Sequence, residues 1–381
     1  MSINSCSRCI FDTSIKGVFL DSEGVCNICR QIEYLEKSYG TGKEKGEILL
    51  KNIINRIKKS GKKKRYDCVV GVSGGTDSSY LLLKAVEWGL RPLAVHYDNS
   101  WNSSLATENI REITTAVKVD LYTHVVDNKE ADSIKLAFLK AGVAEFDADT
   151  DIAFVQVLRS AAAKYGIKYI LEGHSFQAEG LSPVSQNYFD GGYIEDICNK
   201  NGVEKFITFP NMNFNQFMKW VLIYRQKFIR PLWYLAYSKD QAREYLSKLS
   251  GWKYYGGHHL ENLATSFFHT VWLPQRYGID FRNLTLAALV RMGTMSRDEA
   301  LEIYSSPVVP DPELVLYVKT RLGLTDKEYD NLMNGPKRTY LDFKTYKKRF
   351  ERLRPVFAIL AKANLVPMSF YLKYCFPLSN T

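Results

Sequence analysis

The stretch that decides the fold reads Val-Gly-Val-Ser-Gly-Gly-Thr-Asp-Ser-Ser and occupies positions 70–79. Apolar residues before it predict a buried strand, and the residues after it predict a helix. The paired glycines let the backbone approach an anion with its N–H groups turned inward, and the helix N-terminus adds partial positive charge. Ser73 and Ser78 offer hydroxyls, whereas Asp77 would repel a bare anion and is expected to face Mg²⁺. Because the stretch is neither GxxxxGKS/T nor GxGxxG, it predicts a phosphate loop of another type.

Strand and helix patterns alternate around this loop. Short apolar, β-branched runs predict strands, and longer runs with helical periodicity lie between them. Such alternation indicates βαβ units, so we expect an α/β fold with a parallel sheet flanked by helices. Strands are predicted at 66–72, 92–97, 121–126, 168–172 and 228–232, and helices between them at 76–88, 104–117 and 149–165.

The rest of the chain is organised around that α/β unit. Residues 45–59 predict a basic amphipathic helix, and 58–65 are interpreted as a linker broken by Gly61. Residues 174–224 are irregular, which suggests an insertion over the carboxyl edge of the sheet. From about residue 260 onward the pattern is helical, with short helices that have clear stops. The predicted domains are a cysteine module at 1–35, a basic helix and linker at 36–65, an ATP-binding domain at 66–250 and a helical, basic region at 251–381.

With the strand and helix that flank it, the SGGxDS sequence resembles the signature of the PP-loop ATP pyrophosphatase superfamily. That family cleaves ATP between its α and β phosphates and forms an adenylate that nitrogen or sulfur then displaces. Later sequence elements of that family are matched as well. They are Tyr97-Asp98-Asn99 at the end of the second strand, Glu172-Gly173-His174 at the end of the fourth, and Arg230-Pro231-Leu232 followed by Lys239. The resemblance implies that ATP contacts Val72, Ser73, Gly74, Gly75, Asp77, Ser78, Tyr97, Asp98, Asn99, Gly173, Arg230 and Lys239, with Mg²⁺ on Asp77.

Four of the seven cysteines form two CxxC pairs near the N-terminus, Cys6 with Cys9 and Cys26 with Cys29. This spacing is typical of a closed, structural four-thiolate zinc site. A module of this size buries too little core to fold alone, so metal binding would supply its folding energy. An iron–sulfur cluster is the alternative at this site. Cys68 lies in a predicted apolar strand and is expected to be a buried structural thiol.

The C-terminal region narrows the resemblance. The segments 251–262, 267–269, 273–282 and 342–346, together with the CxxC pairs, resemble the N-acetyl sugar amidotransferases of surface-polysaccharide biosynthesis, the WbpG/PseA type. The resemblance implies conversion of an acetamido group on a nucleotide-linked sugar, expected to be UDP-linked, into an acetamidino group with ATP and ammonia. It also implies a partner glutaminase resembling HisH, and a HisF-like companion, as the source of ammonia.

A general base would help to remove protons from the incoming nitrogen. The expected catalytic residues are Asp77, His174, His258, His259 and Glu261. The histidines could equally serve as structural hydrogen-bonding groups, and with His269 they could offer metal ligands, although the HHxE spacing matches no standard zinc motif.

Positive charge is concentrated in two places. The net charge is +10, yet residues 43–65 and 337–373 each carry a balance of +8. These patches indicate a polyanionic partner or a solvated surface. The amidotransferase interpretation predicts no nucleic-acid partner. The alternative function is tRNA modification, since some PP-loop enzymes act on tRNA. Contact with an anionic membrane surface is a further expectation. With no apolar signal segment and no long apolar run, the expected compartment is the cytoplasm.

Overall fold

The structure, a computed structural model, describes residues 5–182, 188–256 and 261–377. Within these residues one sheet of five parallel strands has the order β3-β2-β1-β4-β5. This confirms the predicted parallel α/β sheet. Each strand begins within two residues of its predicted first residue. The strands are β1 (Cys68–Gly71), β2 (Pro92–Asp98), β3 (Leu121–Val125), β4 (Tyr169–Leu171) and β5 (Lys227–Ile229).

Helices cover both faces of the sheet and make up the C-terminal region, as predicted. A π-helical turn, Trp220–Tyr224, precedes β5, and a longer one, Phe268–Tyr277, follows α11. The α-helices are α1 (Asn27–Tyr39), α2 (Glu44–Gly61), α3 (Thr76–Glu87), α4 (Ser104–Ala116), α5 (Asn128–Ala141), α6 (Ala148–Lys164), α7 (Phe176–Glu179), α8 (Gly191–Lys200), α9 (Phe214–Lys219), α10 (Lys239–Ser250), α11 (Leu263–Phe267), α12 (Arg282–Arg291), α13 (Arg297–Ser305), α14 (Pro312–Arg321), α15 (Asp326–Asn334), α16 (Lys347–Arg352), α17 (Arg354–Lys362) and α18 (Met368–Tyr374).

The strand order places the phosphate loop at the point where the sheet changes winding direction. From β1 the chain moves outward to β2 and β3, and it then returns to β4 on the other side of β1. In open parallel sheets the crevice at the carboxyl ends of the strands flanking this switch point binds ligands. The loops after β1 and β4 border this crevice.

Apolar side chains fill both faces of the sheet because parallel strands are covered on each side. Cys68, Val69 and Val70 of β1 are fully buried, which confirms the expectation for Cys68. Trp101, Trp252 and Trp272 are among the largest fully buried side chains.

Three local expectations need correction. The stretch 58–65 is not entirely linker, because α2 continues to Gly61, where the backbone packs so closely on Asp67 that a side chain would collide. Helix α5 was not predicted, although Asp127 caps its start and Gly142 ends it in the left-handed conformation. Residues 174–224 are more regular than expected, since they contain α7, α8 and α9.

The cysteine module packs on the C-terminal region. Its buried side chains share a core with Phe176 of α7, Leu286 and Ala287 of α12, and Ala300 of α13. The module is therefore anchored against α7, between β4 and β5, and against helices that follow the sheet in sequence. Searched across the described residues, no helix has the length and apolar character needed to cross a bilayer.

Candidate active site

The phosphate loop joins β1 to α3, with Gly75 as the N-cap of the helix. Gly74 has a φ of +82°, and a Cβ there would collide with the carbonyl oxygen of Ala106, so the position requires glycine. The carbonyl of Gly74 accepts hydrogen bonds from Trp252 Nε1 at 3.0 Å and from Asn109 Nδ2 at 3.3 Å. The loop is thus held from behind by α4 and by the segment after α10.

Hydroxyl groups close the loop on itself. Ser78 Oγ accepts from the backbone N–H of Ser73 at 3.2 Å, and Ser73 Oγ accepts from that of Gly75 at 3.3 Å. A Cβ at Gly75 would lie 3.0 Å from the Tyr255 hydroxyl and 3.2 Å from Glu261 Oε1. The space over Gly75, the N-cap of α3, is therefore bordered by Tyr255 and Glu261.

Asp77 lies in the first turn of α3 within a buried polar cluster. Its Oδ2 lies 3.0 Å from Lys239 Nζ, and Tyr237 donates its hydroxyl hydrogen bond to Oδ1. Lys239 Nζ is also 3.8 Å from Glu179 Oε1. Burial raises the pKa of Asp77, but the Lys239 ammonium and the hydrogen bonds outweigh this and leave the pKa below its ordinary value. The carboxylate is therefore ionised at neutral pH.

A second cluster lies at the ends of β4 and β5. Trp233 Nε1 donates to His174 Nδ1 at 3.2 Å, and His174 Nε2 lies 3.5 Å from Glu179 Oε2. Arg230 donates from Nε to Glu172 Oε2 at 2.9 Å and lies over the Trp233 ring, 5.0 Å from its centroid. Through Glu179 this cluster is continuous with the Asp77–Lys239 pair. The structure thus brings together His174, Arg230, Lys239 and Asp77, which the sequence singled out separately.

Val72 and Gly173 serve the close packing of backbone around the loop. The carbonyl of Val72 bonds to Nδ1 of the buried His96 at 2.9 Å. A Cβ at Gly173 would lie 2.9 Å from the backbone of both Asp77 and Ser78, so β4 can approach α3 only with glycine here. Their roles toward a nucleotide stay predictions.

The three residues at the end of β2 that were predicted to contact ATP are engaged within the protein. Tyr97 lies in the core and is 6% exposed. Asp98 Oδ1 accepts from the backbone N–H of Ser100 at 2.8 Å, and Asn99 Oδ1 accepts from Asn262 Nδ2 at 3.0 Å. Asn99 thus joins the end of β2 to the N-cap of α11, and the contact of all three residues with a nucleotide remains a prediction.

Glu261 reaches the phosphate loop from the far end of the chain. Its backbone carbonyl accepts from the N–H of Ser103 at 2.8 Å, which fixes the segment beside α4. Ser73 Oγ donates to Glu261 Oε1 at 3.2 Å. A buried carboxylate therefore borders the site where phosphates are expected. His258 and His259 lie outside the described residues.

The four cysteines predicted as metal ligands converge. Their sulfur atoms all lie within 4.8 Å of one another and are buried, with 3.9 Å between Cys6 and Cys29 and 3.8 Å between Cys9 and Cys26. A tetrahedron of thiolates about 2.3 Å from one zinc ion has edges of about 3.8 Å. The geometry thus fits one central ion, whereas a four-iron cluster holds each cysteine on a different iron.

Backbone and guanidinium groups surround these sulfurs. Cys6 Sγ accepts from the N–H groups of Arg8 at 3.3 Å and Cys26 at 3.2 Å, and Arg291 Nη1 of α12 lies 3.9 Å from Cys29 Sγ. The hydrogen bond from the Cys29 thiol lowers the pKa of Cys26 below its ordinary value. These donors would offset the negative charge of a thiolate-bound metal.

Replacing Cys9 by serine is expected to reduce bound metal from about one ion per chain to a small residual fraction, since closed structural sites use all four thiolates. The module should then become sensitive to proteolysis, because metal binding contributes its folding energy. Elemental analysis and limited proteolysis would measure both effects. A Cys375→Ser variant, at a buried cysteine outside the cluster, should retain the metal. Equal metal content in the two variants would contradict the assignment.

Sequence reasoning missed several side chains of the site. Glu179 and Tyr237 complete the surroundings of Asp77, Trp233 bonds to His174, and Tyr255 lies over Gly75. A signal existed for Tyr237, which stands two residues before Lys239 in the RPL…K element. Glu179 had no such signal, because its place beside Lys239 depends on how α7 folds over the sheet edge.

Comparison with known families identifies the C-terminal segment. Residues 261–354 match the model of the C-terminal domain of WbpG-like LPS biosynthesis proteins. A relative from Methanocaldococcus jannaschii, uncharacterized protein MJ1599, is 24% identical over 307 residues, which cover 80% of this chain and 94% of the relative. The chain therefore carries a WbpG-like C-terminal domain, and this confirms the resemblance predicted from its motifs.

Solved structures show more distant likeness. NMN synthetase from Francisella tularensis has a TM-score of 0.33 at 13% identity, covering 77% of this chain and 97% of its own. NH3-dependent NAD synthetase from Campylobacter jejuni has a TM-score of 0.32 at 13% identity, with coverages of 77% and 98%. The U34-tRNA thiolase NcsA from Methanococcus maripaludis has a TM-score of 0.31 at 12% identity, with coverages of 74% and 91%. The fold assignment depends on the sheet order and the phosphate loop, not on these scores.

Proposed function

We propose that this chain, with its WbpG-like C-terminal domain on a PP-loop fold, is an ATP-dependent N-acetyl sugar amidotransferase. In the proposed reaction the amide oxygen of an acetamido sugar attacks the α-phosphate of ATP, and pyrophosphate leaves. Ammonia then adds to the amide carbon, and AMP departs with the former amide oxygen. The product is an acetamidino sugar, with AMP and pyrophosphate as the other products. We place the reaction in the biosynthesis of LPS O-antigen or a related surface glycan.

The observation that carries this proposal is the position of Glu261. It is the first residue of the WbpG-like segment, and its carboxylate accepts a hydrogen bond from Ser73 in the phosphate loop, 188 positions earlier. The segment that suggests sugar chemistry therefore contributes directly to the predicted ATP site. The proposal joins the two: ATP activation by the loop, and an acceptor brought to it by the C-terminal domain.

The side chains around the loop suit the charges of this reaction. Ser73, Ser78 and the N-terminus of α3 would hold phosphate oxygens. The ionised Asp77 carboxylate offers oxygen atoms, which are the ligands that Mg²⁺ prefers. Bound Mg²⁺ would neutralise charge on the phosphates. Lys239 and Arg230 would stabilise the departing pyrophosphate.

Ammonia and zinc complete the proposal. We expect a separate HisH-like glutaminase, with a HisF-like subunit, to deliver ammonia, and we assign the four-cysteine site to Zn²⁺. The proposed acceptor is a UDP-linked acetamido sugar. In a purified system ammonium salts would replace the partner.

The first experiment measures AMP and pyrophosphate release from ATP and Mg²⁺ with ammonium and a panel of UDP-linked mono- and diacetamido sugars. Parallel reactions contain bulk tRNA instead of sugar. We expect release that needs both ammonium and one sugar, with a cationic product in which NH replaces the amide oxygen, detected by mass spectrometry. Release that needs tRNA and no sugar would contradict the proposal and favour a tRNA-modifying enzyme.

A further inference from the structure

An apolar surface at the C-terminal end has no part in the proposed reaction. Ile359 of α17 is 68% exposed, Leu372 of α18 is 56% exposed, and Ile223 of the π-helical turn before β5 is 70% exposed. Single exposed apolar residues are ordinary, but concentrations of them mark interaction sites. We define the C-terminal apolar patch by Leu222, Ile223, Tyr224, Val356, Ile359, Met368 and Leu372.

The three elements that carry the patch pack on one core. The ring of Phe217 in α9 lies 6.2 Å from that of Phe357 in α17 and 5.1 Å from that of Phe370 in α18. Phe357 is fully buried, and Ile359, two residues further along the helix, points away from it because two residues turn a helix by about 200°. Val356 and Ile359 share that outward face. The patch therefore covers the solvent side of one aromatic core.

The charge around the patch is mostly positive, although α16 also carries Glu351, which lies 3.6 Å from Lys347 Nζ. Residues 205–237 and 352–377 contain no aspartate or glutamate. Exposed cations lie on α9, α16 and α17 and next to α16 and the π-helical turn. They are Lys219, Arg225, Lys344, Lys348, Arg349, Arg352, Arg354 and Lys362.

Exposed apolar side chains surrounded by cations favour one class of binding partner over the others. A nucleic acid would pair with the cations but would gain little from solvent-facing aliphatic side chains such as Ile359. A second copy of this chain in a symmetric contact would set cations against cations. An anionic lipid bilayer satisfies both features at once, because its headgroups attract lysine and arginine while its interfacial region accepts short apolar side chains.

We propose that the C-terminal apolar patch and its surrounding cations dock the protein on the surface of a bilayer that contains anionic lipid. Aliphatic side chains of α17, α18 and the π-helical turn enter the interfacial region, and the cations of α16 and α17 bind headgroups. The contact is peripheral. This inference stands independently of the reaction proposed above.

Sedimentation of the full-length protein with phosphatidylcholine vesicles, with and without phosphatidylglycerol, tests the proposal. We expect binding only when phosphatidylglycerol is present, and weakening as salt is added. The triple variant Lys348→Gln/Arg352→Gln/Lys362→Gln should weaken binding roughly hundredfold, since each cation contributes about fivefold. The double variant Ile359→Asn/Leu372→Asn should weaken it by about tenfold or more.

Matched control variants remove the same kinds of side chain at positions outside the C-terminal apolar patch. Lys51→Gln/Lys62→Gln/Lys63→Gln removes three exposed cations near α2, and Leu316→Asn removes an exposed aliphatic side chain of α14. Both should bind vesicles like the wild type. Equal loss in the controls, or no vesicle binding by the wild type, would overturn the proposal. So would a wild-type dimer that Ile359→Asn/Leu372→Asn converts to a monomer without any vesicle binding.

Discussion

Replacing Asp77 by asparagine is expected to lower the rate of AMP formation about 10³-fold, the loss found when a group that stabilises transition-state charge is removed. The carboxylate lies in the first turn of α3, where it faces both the phosphate loop and the Lys239 ammonium at 3.0 Å. Asparagine keeps the shape but removes the negative charge that would hold Mg²⁺ and orient Lys239. Release of AMP from ATP, followed with saturating ammonium and sugar, measures the effect.

Two further variants distinguish a role of Asp77 in AMP formation from an effect on the stability of the fold. Tyr237→Phe removes only the hydrogen bond to Asp77 and should keep activity within about tenfold, since a single hydrogen bond contributes about 1 kcal/mol. Asp240→Asn changes the exposed aspartate next to Lys239 in sequence. Asp240 forms only a surface ion pair with Arg243, so this variant should behave like the wild type. The fold of Asp77→Asn should survive because Lys239 keeps Glu179 nearby at 3.8 Å, and thermal unfolding checks this. AMP output equal to the wild type would remove Asp77 from the proposed mechanism.

The parallel sheet could be predicted from the sequence because its signals are local. A buried strand, an SGG turn and an amphipathic helix fall within about twenty residues, and the alternation repeats along the chain. Helix α5 was not predicted, although its buried Ala131, Ile134 and Phe138 have helical spacing. What the sequence could not show is that Lys135 also lies on the buried face. In the folded chain Lys135 is 1% exposed and pairs with Asp147 at 2.7 Å and Asp149 at 2.8 Å. Only tertiary partners make that burial favourable.

The candidate site could be predicted only in part, for the same reason. The resemblance to PP-loop enzymes implied that Asp77, Arg230 and Lys239 all contact ATP. Spacing could not show that Lys239 pairs with Asp77, or that Arg230 pairs with Glu172. It also could not place Trp252 and Glu261, whose contacts with the loop span more than 170 positions in sequence.

Glu261 gives the second large expected effect. A carboxylate 3.2 Å from the Ser73 hydroxyl would repel the phosphates of ATP unless a cation or a proton donor lies between them. An ammonium ion entering the site is both a cation and a proton donor. It must lose a proton before its nitrogen can attack the amide carbon. We therefore expect Glu261 to accept that proton. Removal of a positioned general base lowers rates by roughly 10²- to 10⁴-fold.

Replacing Glu261 by glutamine keeps an oxygen that can accept the Ser73 hydrogen bond but removes the basic group. We expect amidine formation to fall about 10²-fold near neutral pH, with little change in the affinity for ATP. The defect should shrink as pH rises toward the pKa of ammonium, because free ammonia then needs no base to generate it. Glu302→Gln, at an exposed glutamate of the same WbpG-like segment, should leave the rate unchanged at every pH. A Glu261→Gln defect that is independent of pH and accompanied by weaker ATP binding would show that the carboxylate organises the phosphate loop and does not handle the proton.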